Sequence, residues 1–326
     1  MLQFHHMKEP SFPSTERDLK KERREQMIEN TTLVIPENDG ESVMIGKIAN
    51  YFGIDTRIIE GSWDTPKEDI YRQLRKLSTF KQNIAIVELA APEIEAEWSD
   101  QIDEGELIII DHHNYKLDNG ELLNRIEDEG SLMDQFLEKF SLDDPKLFEQ
   151  FEYDWRFIHG ISINDAEFIP GLIEAGYSLD EIKQIRAFDR MAQYGEDKEQ
   201  IEIANAEAFQ NHTKYGDSIY VIEFDDPVNY SYAKDLAIFE QMQNPTDSIK
   251  DQSITTVIIR PSTDKDHYSI AVEILGNELR MEEIISHLND IQPDKRGKRS
   301  RHWWKANIDA GQLEVVKDYM KSISED

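Results

Sequence analysis

Cysteine is missing from all 326 residues. That excludes disulfides, zinc–thiolate sites, iron–sulfur clusters and thiol catalysis, so a metal site in this chain has to be built from Asp, Glu and His. Such oxygen and imidazole donors suit Mn²⁺, Mg²⁺ or a similar ion better than a soft metal. Neither a Gly-x-Gly-x-x-Gly fingerprint nor a P-loop is present, which removes the common glycine-rich cradles for nucleotide phosphates. A Gly-x-Ser-x-Gly elbow for a nucleophilic serine is absent as well. No apolar run approaches the roughly 20 residues of a membrane-spanning helix, and the polar N-terminus lacks a signal-peptide core. The expectation is a cytoplasmic protein with no membrane partner. Basic residues are scarce: 36 Lys and Arg stand against 67 Asp and Glu, for a formal net charge of -31. A field of that sign repels nucleic-acid phosphates unless a local patch reverses it. The same acidity also fits adaptation to salt, or plain solubility.

What is present suffices for two folded domains. Hydrophobic residues make up 39% of the chain and charged residues 32%, so real cores and a heavily ionic surface are both expected. Residues 1–30 are polar and charge-dense and read as an N-terminal arm, with a surface helix from Glu16 to Glu29. The adjacent His5 and His6 read as part of a solvated tail. From Thr31 the pattern alternates. Thr31–Ile35, Thr56–Ile59, Asn83–Val87 and Leu107–Ile110 are short apolar runs rich in β-branched residues. Apolar residues at helical spacing lie between them, around Met44–Phe52, Glu68–Leu77 and Pro92–Trp98. Alternating strands and helices imply an α/β fold, a parallel sheet flanked by helices.

After Asp118 the pattern turns helical, clearest at Ser131–Phe140, Pro145–Ile158 and Leu179–Tyr194. Strand-like runs at Ser218–Glu223, Thr255–Ile259 and Tyr268–Glu273, with helices near Met281–Leu288 and Leu313–Ile323, then suggest a smaller C-terminal α/β domain. The division expected is 1–30 arm, 31–214 main domain and 215–326 C-terminal domain.

Acidic groups follow three of the strands. Strand 31–35 runs into Glu37 and Asp39, strand 83–87 into Glu88, and strand 107–110 into Asp111, His112 and His113. Ligand sites of open α/β sheets gather at the carboxyl ends of strands, near the point where strand order reverses. Each acid alone is an ordinary polar loop residue; their convergence with two adjacent histidines points to a metal centre.

The apolar strand followed by Asp111-His112-His113 resembles the DHH family of phosphoesterases. Glu37-Asn38-Asp39-Gly40-Glu41-Ser42 is similar to the family's first motif, an Asp-x-Asp with a small residue and a Ser after it. Glu88 stands where a second Asp is usual. Glu129-Gly130-Ser131 is similar to the Gly-Ser that opens the next helix, and Phe157–Asp165 to the stretch carrying a fourth Asp. The resemblance implies two divalent ions, usually Mn²⁺ with Mg²⁺ as the substitute. It implies Glu37, Asp39, Glu88, His112 and Asp165 as ligands, His113 facing the phosphate, and Asp111 orienting the histidines. Metal-activated hydroxide would then attack a phosphodiester or phosphomonoester. Glu replaces Asp at both 37 and 88, lengthening each side chain by one methylene. The implied reading is therefore either an active phosphoesterase or a catalytically degenerate DHH-fold scaffold.

Residues 295–305 carry six basic groups in eleven positions: Lys295, Arg296, Lys298, Arg299, Arg301 and Lys305. This reverses the sign of the chain locally. Lys298, Arg299, Arg301 and His302 are candidate substrate-binding residues, and Trp303 or Trp304 a candidate platform for a base. The bland alternative is a basic surface loop with one tryptophan buried. Gly297, His302 and Ala306 also resemble, weakly, the Gly-rich stretch of the substrate domain associated with the family. The partner expected is a nucleotide or short single-stranded oligonucleotide, and the resemblance leaves room for a homodimer.

Overall fold

The computed structural model describes residues 16–60, 67–77, 81–89, 92–101, 106–111, 114–116, 122–124, 131–216, 219–226, 230–243, 255–261, 270–276, 278–288, 298–299 and 303–324. The chain forms two compact units. One runs up to Glu37 and resumes from Met44 to Asp154; the other comprises Asn38–Val43 and Trp155–Asp326.

In the first unit, α1 (Glu16–Asn30) leads into β1 (Thr31–Ile35), α2 (Gly40–Phe52, whose residues up to Val43 count with the second unit), β2 (Asp55–Ile58), α3 (Lys67–Leu74), β3 (Asn83–Val87), α4 (Pro92–Gln101) and β4 (Leu107–Ile110). Two three-residue strands, β5 (Asn114–Lys116) and β6 (Leu122–Asn124), form a separate antiparallel pair, and α5 (Leu132–Lys139) follows. The four strands β2-β1-β3-β4 make one sheet in which every pairing is parallel. This is the α/β architecture expected from the sequence. Every residue of β1 is buried, because a parallel sheet is covered on both faces and its strands can be apolar throughout. On one face Val34, Ile84 and Ile86 pack with Leu74, Ile94 and Trp98 from α3 and α4. The order also fixes a topological switch point. The chain leaves β1 toward β2 and returns to place β3 on the other side of β1, so a crevice opens at the carboxyl ends of β1 and β3.

The second unit holds α6 (Trp155–Glu174), α7 (Leu179–Tyr194), α8 (Lys198–Gln210), β7 (Thr213–Tyr215), β8 (Ile219–Glu223), α9 (Ser231–Gln243), β9 (Thr255–Pro261), β10 (Ile270–Leu275), α10 (Glu278–Leu288), β11 (Lys298–Arg299), β12 (Trp303–Ile308) and α11 (Ala310–Ser322). Its six-stranded sheet has the order β11-β12-β10-β9-β8-β7; only the β8–β9 pairing is parallel. Alternation along the strands sorts its two faces. Ile219, Val221, Val257 and Ile259 point to Met281, Ile284, Val316 and Met320, while Tyr220, Ile222 and Ile258 pack with Ala233 and Ala237 of α9.

Two sequence expectations are corrected. The helix expected over 145–158 is a single 3₁₀ turn at Pro145–Phe148, opened by an Asp144 cap, and the chain becomes α-helical only at Trp155. Rings of Phe148, Phe151 and Tyr153 gather with Tyr51 and Phe52 of α2 in that stretch. Aromatic packing, not helix formation, therefore uses the apolar spacing there. Likewise Trp304 is no base platform. It is 3% exposed and sits in the core under the six-stranded sheet.

Candidate functional site

At the carboxyl edge of the parallel sheet, strand register sets the acidic residues side by side. Val87 pairs with Ile110, and one residue further the Glu88 amide donates to the Ile110 carbonyl at 3.0 Å. Glu88 and Asp111 are thus neighbours on adjacent strands, 5% and 4% exposed. Glu37 leaves β1 on the other side of β3, at the switch point. Its carboxylate lies on α2 where there is no side chain: a Cβ added to Gly46 would come 2.6 Å from Glu37 Oε1. Burial raises the Glu37 carboxyl above its ordinary value, and Lys47 opposes that rise.

Glu88 adopts φ 52, the left-handed region that costs a non-glycine residue about 1–2 kcal/mol. Strain of this kind persists where surrounding structure holds it and clusters at functional positions. Sequence reading had no signal for it. Gln135 was missed as well. Its carboxamide oxygen accepts the Asp111 amide at 3.1 Å and its nitrogen donates to the Asp111 carbonyl at 3.2 Å. A side-chain amide from α5 thereby extends the hydrogen-bond ladder past β4 and fixes the backbone immediately before His112. The Ser131–Asp134 capping box sets where α5 starts, and hence where Gln135 falls.

Within the other unit, Asp39 closes the start of α2. Asp39 Oδ1 accepts the Ser42 amide at 2.8 Å, and the Ser42 hydroxyl accepts the amides of Asn38 and Asp39 at 3.1 and 3.2 Å. A reciprocal helix cap of this kind explains why a serine stands three residues after Asp39. Its carboxyl is also unusual. Burial pushes it up to about 7, and the nearby Asp165 and Asp189 carboxylates add to the rise against the hydrogen bonds from Ser42. Asp165 lies in α6, exposed, three residues before a kink at Phe168 (φ 59, ψ -156), with Pro170 two residues further. Proline has no N–H and disfavours helical geometry in the residue before it.

Of the residues expected to form the site, the structure therefore groups Glu37, Glu88 and Asp111 along one sheet edge, and Asp39 with Asp165 in the second unit. His112, His113, Arg301 and His302 lie outside the described residues. Lys298 and Arg299 form β11, paired with Lys305 and Trp304 of β12. Among the described residues no three Asp, Glu or His side chains are close enough to hold a metal ion together. The donors nonetheless suit a hard divalent cation. They are carboxylates with a histidine pair beside them in sequence, and the proton affinity of Asp39, raised first by burial, is raised further by the Asp165 and Asp189 charges, which a cation would neutralise.

The site thus belongs to an α/β protein with acidic residues at the switch point of a parallel sheet. No family model matches the chain, and no curated protein matches it. Solved structures show distant likenesses. One is RecJ from Thermus thermophilus in complex with Mn²⁺, at 11% identity and a TM-score of 0.41, covering 95% of this chain and 54% of that one. A second, exonuclease RecJ bound to manganese, has 10% identity and a TM-score of 0.42, with 94% of each chain covered. A third is the pGpG-specific phosphodiesterase PggH from Vibrio, at 9% identity and a TM-score of 0.40, covering 91% of this chain and 98% of that one. The chain spans about half the length of the Thermus RecJ it matches. Likenesses this distant do not place it in a family. No helix among the described residues is long and apolar enough to cross a membrane.

Proposed function

We propose that the chain is a DHH-type, divalent-metal-dependent phosphoesterase acting on a nucleotide or short single-stranded oligonucleotide. The observation that carries this reading is the buried pair Glu88 and Asp111, side by side at the carboxyl edge of the parallel sheet with Glu37 at its switch point, where α/β folds bind ligands. The buried Asp39, held by its own helix cap near Asp165 and Asp189, supports it.

In this reading Asp39 and Asp165, with Glu37, Glu88 and His112, hold two divalent ions, Mn²⁺ or Mg²⁺. Such ions supply charge stabilisation to phosphoryl oxygens and lower the pKa of water. The chain's own residues do the rest. The Ser42 amide keeps the Asp39 carboxylate aimed by donating to its Oδ1, while the Ser42 hydroxyl accepts the amides of Asn38 and Asp39. Gln135 fixes the backbone of Asp111, so that Asp111 can orient His112 and His113. His113 meets the phosphate, and Lys298, Arg299, Arg301 and His302 bind the remainder of the substrate.

A second reading, a catalytically degenerate scaffold of the same fold, draws on Glu37. Its carboxylate rests against α2 at Gly46, where burial raises its proton affinity and the charge of Lys47 opposes the rise. One experiment separates the two. The purified protein is assayed with Mn²⁺ against a 5′-phosphorylated dinucleotide, a cyclic dinucleotide and single-stranded DNA, beside His112→Ala. Turnover lost in the variant supports the enzyme; no metal bound and no turnover by the wild type leaves the scaffold.

A further inference from the structure

Among the described residues Arg186 is the largest fully buried side chain, at 1% exposure. All of its partners lie in the second unit. Its Nε donates to Asp235 Oδ1 at 2.9 Å and its Nη2 to Ser231 Oγ at 2.6 Å. Its Nη1 serves two acceptors, Asp189 Oδ2 at 2.6 Å and Asn164 Oδ1 at 3.0 Å. The guanidinium also lies over the ring of Phe168, 4.2 Å from the centroid. Asp235 is shared with Arg190.

Two of those contacts lead toward the candidate ligands. Asp189 turns its other oxygen to the Gly40 amide at 3.0 Å, the peptide group immediately after Asp39. The approach is close: a Cβ on Gly40 would stand 2.9 Å from Asp189 Cα, so a glycine is required there. Asn164 immediately precedes Asp165. With Phe168, it places Arg186 against both the residue before Asp165 and the kink after it. One planar group therefore grips the backbone neighbour of Asp39 through Asp189 and the stretch carrying Asp165 through Asn164 and Phe168. A guanidinium can do this because its donors diverge in a fixed plane; an ammonium is a compact point charge without that fork.

We infer that Arg186 is a positioning residue. Through Asp189 and Asn164 it sets the separation of the Asp39 and Asp165 carboxylates, and so governs how tightly a divalent cation binds. The inference rests on the metal-dependent reading above. Buried charge networks of this kind are weak sources of stability, and their clearest use is to specify one geometry. Groups behind metal ligands commonly affect affinity by about 10–100-fold when altered.

The test is a Mn²⁺ titration of the full chain followed by electron paramagnetic resonance. Variants are Arg186→Lys, Asn164→Ala and the two combined, with circular dichroism confirming the fold. Both single changes leave the formal charge as it is, so an altered affinity reports geometry. The expected result is a dissociation constant raised about tenfold or more in each folded single variant. The double variant should be no weaker than Arg186→Lys alone, because Asn164 acts through Arg186. Asn164→Ala only truncates a side chain, and it carries the test if Arg186→Lys does not fold. A folded variant that melts earlier yet binds Mn²⁺ like the wild type overturns the inference and leaves the metal-dependent reading standing. A wild-type chain that binds no Mn²⁺ overturns both.

Discussion

Asp189 and Gly40 are 149 positions apart in sequence, yet the Asp189 carboxylate accepts the Gly40 amide at 3.0 Å. This bond ties the start of α2, and with it Asp39, to α7. Replacing Gly40 by alanine drives a methyl group onto the Asp189 backbone. Overpacking of this kind costs about 1–3 kcal/mol. Urea unfolding of Gly40→Ala should show that loss, and its Mn²⁺ affinity should fall with it. A variant of wild-type stability would mean that the approach is not tight.

Glu88 offers the opposite outcome. Asparagine tolerates the left-handed backbone far better than glutamate. Glu88→Asn should therefore raise the stability of the metal-free protein by about 0.5–1 kcal/mol, part of the strain relieved, while abolishing activity. Such an exchange of stability for function is typical of strained functional positions. Chemical denaturation in a chelator, set beside an activity assay, checks both halves; a destabilised variant contradicts the strain argument.

The Asp39 carboxyl carries a pH signature. It is pushed up to about 7 in the folded chain from an ordinary value of 3.8. The folded state thus holds a proton that the unfolded state has already released. Its contribution to stability is fully present below the unfolded value and is lost as pH rises through about 7. Denaturation of the metal-free protein from about pH 5 to about pH 8 should show stability falling, and Asp39→Asn should flatten that slope. Divalent metal competes with the same proton, so its affinity should rise across the window.

Gln135→Leu should destabilise the fold by about 1–3 kcal/mol, since it removes the two hydrogen bonds that the Gln135 carboxamide makes to the buried backbone of Asp111. It should also reduce turnover without touching a proposed ligand. Thermal melts together with steady-state kinetics test this; a stable, fully active variant would remove Gln135 from the account.

The parallel sheet was legible because β1, β3 and β4 are short β-branched runs, each ending in acid. Leu179–Tyr194 was legible from its helical spacing, and the structure starts it at a Ser178–Glu181 capping box. The strand β12 was hidden: lysine and arginine dominate its surroundings, and charge masked the alternation that buries Trp304, Ala306 and Ile308. Asp39 and Asp165 could be nominated from local motifs. Arg186, Asp189 and Gln135 could not: apart from the one-turn pairing of Arg186 with Asp189, their roles depend on contacts with residues 22 or more positions away.

The central claim is that this chain hydrolyses a phosphate ester with bound divalent metal. It is tested most directly by incubating purified, metal-stripped protein with a 5′-phosphorylated dinucleotide and following mononucleotide release as Mn²⁺ is added. The account predicts no release without metal, saturable release with it, and loss of release in Asp39→Asn. Release that ignores Mn²⁺, or Mn²⁺-dependent release that survives in Asp39→Asn, would contradict it.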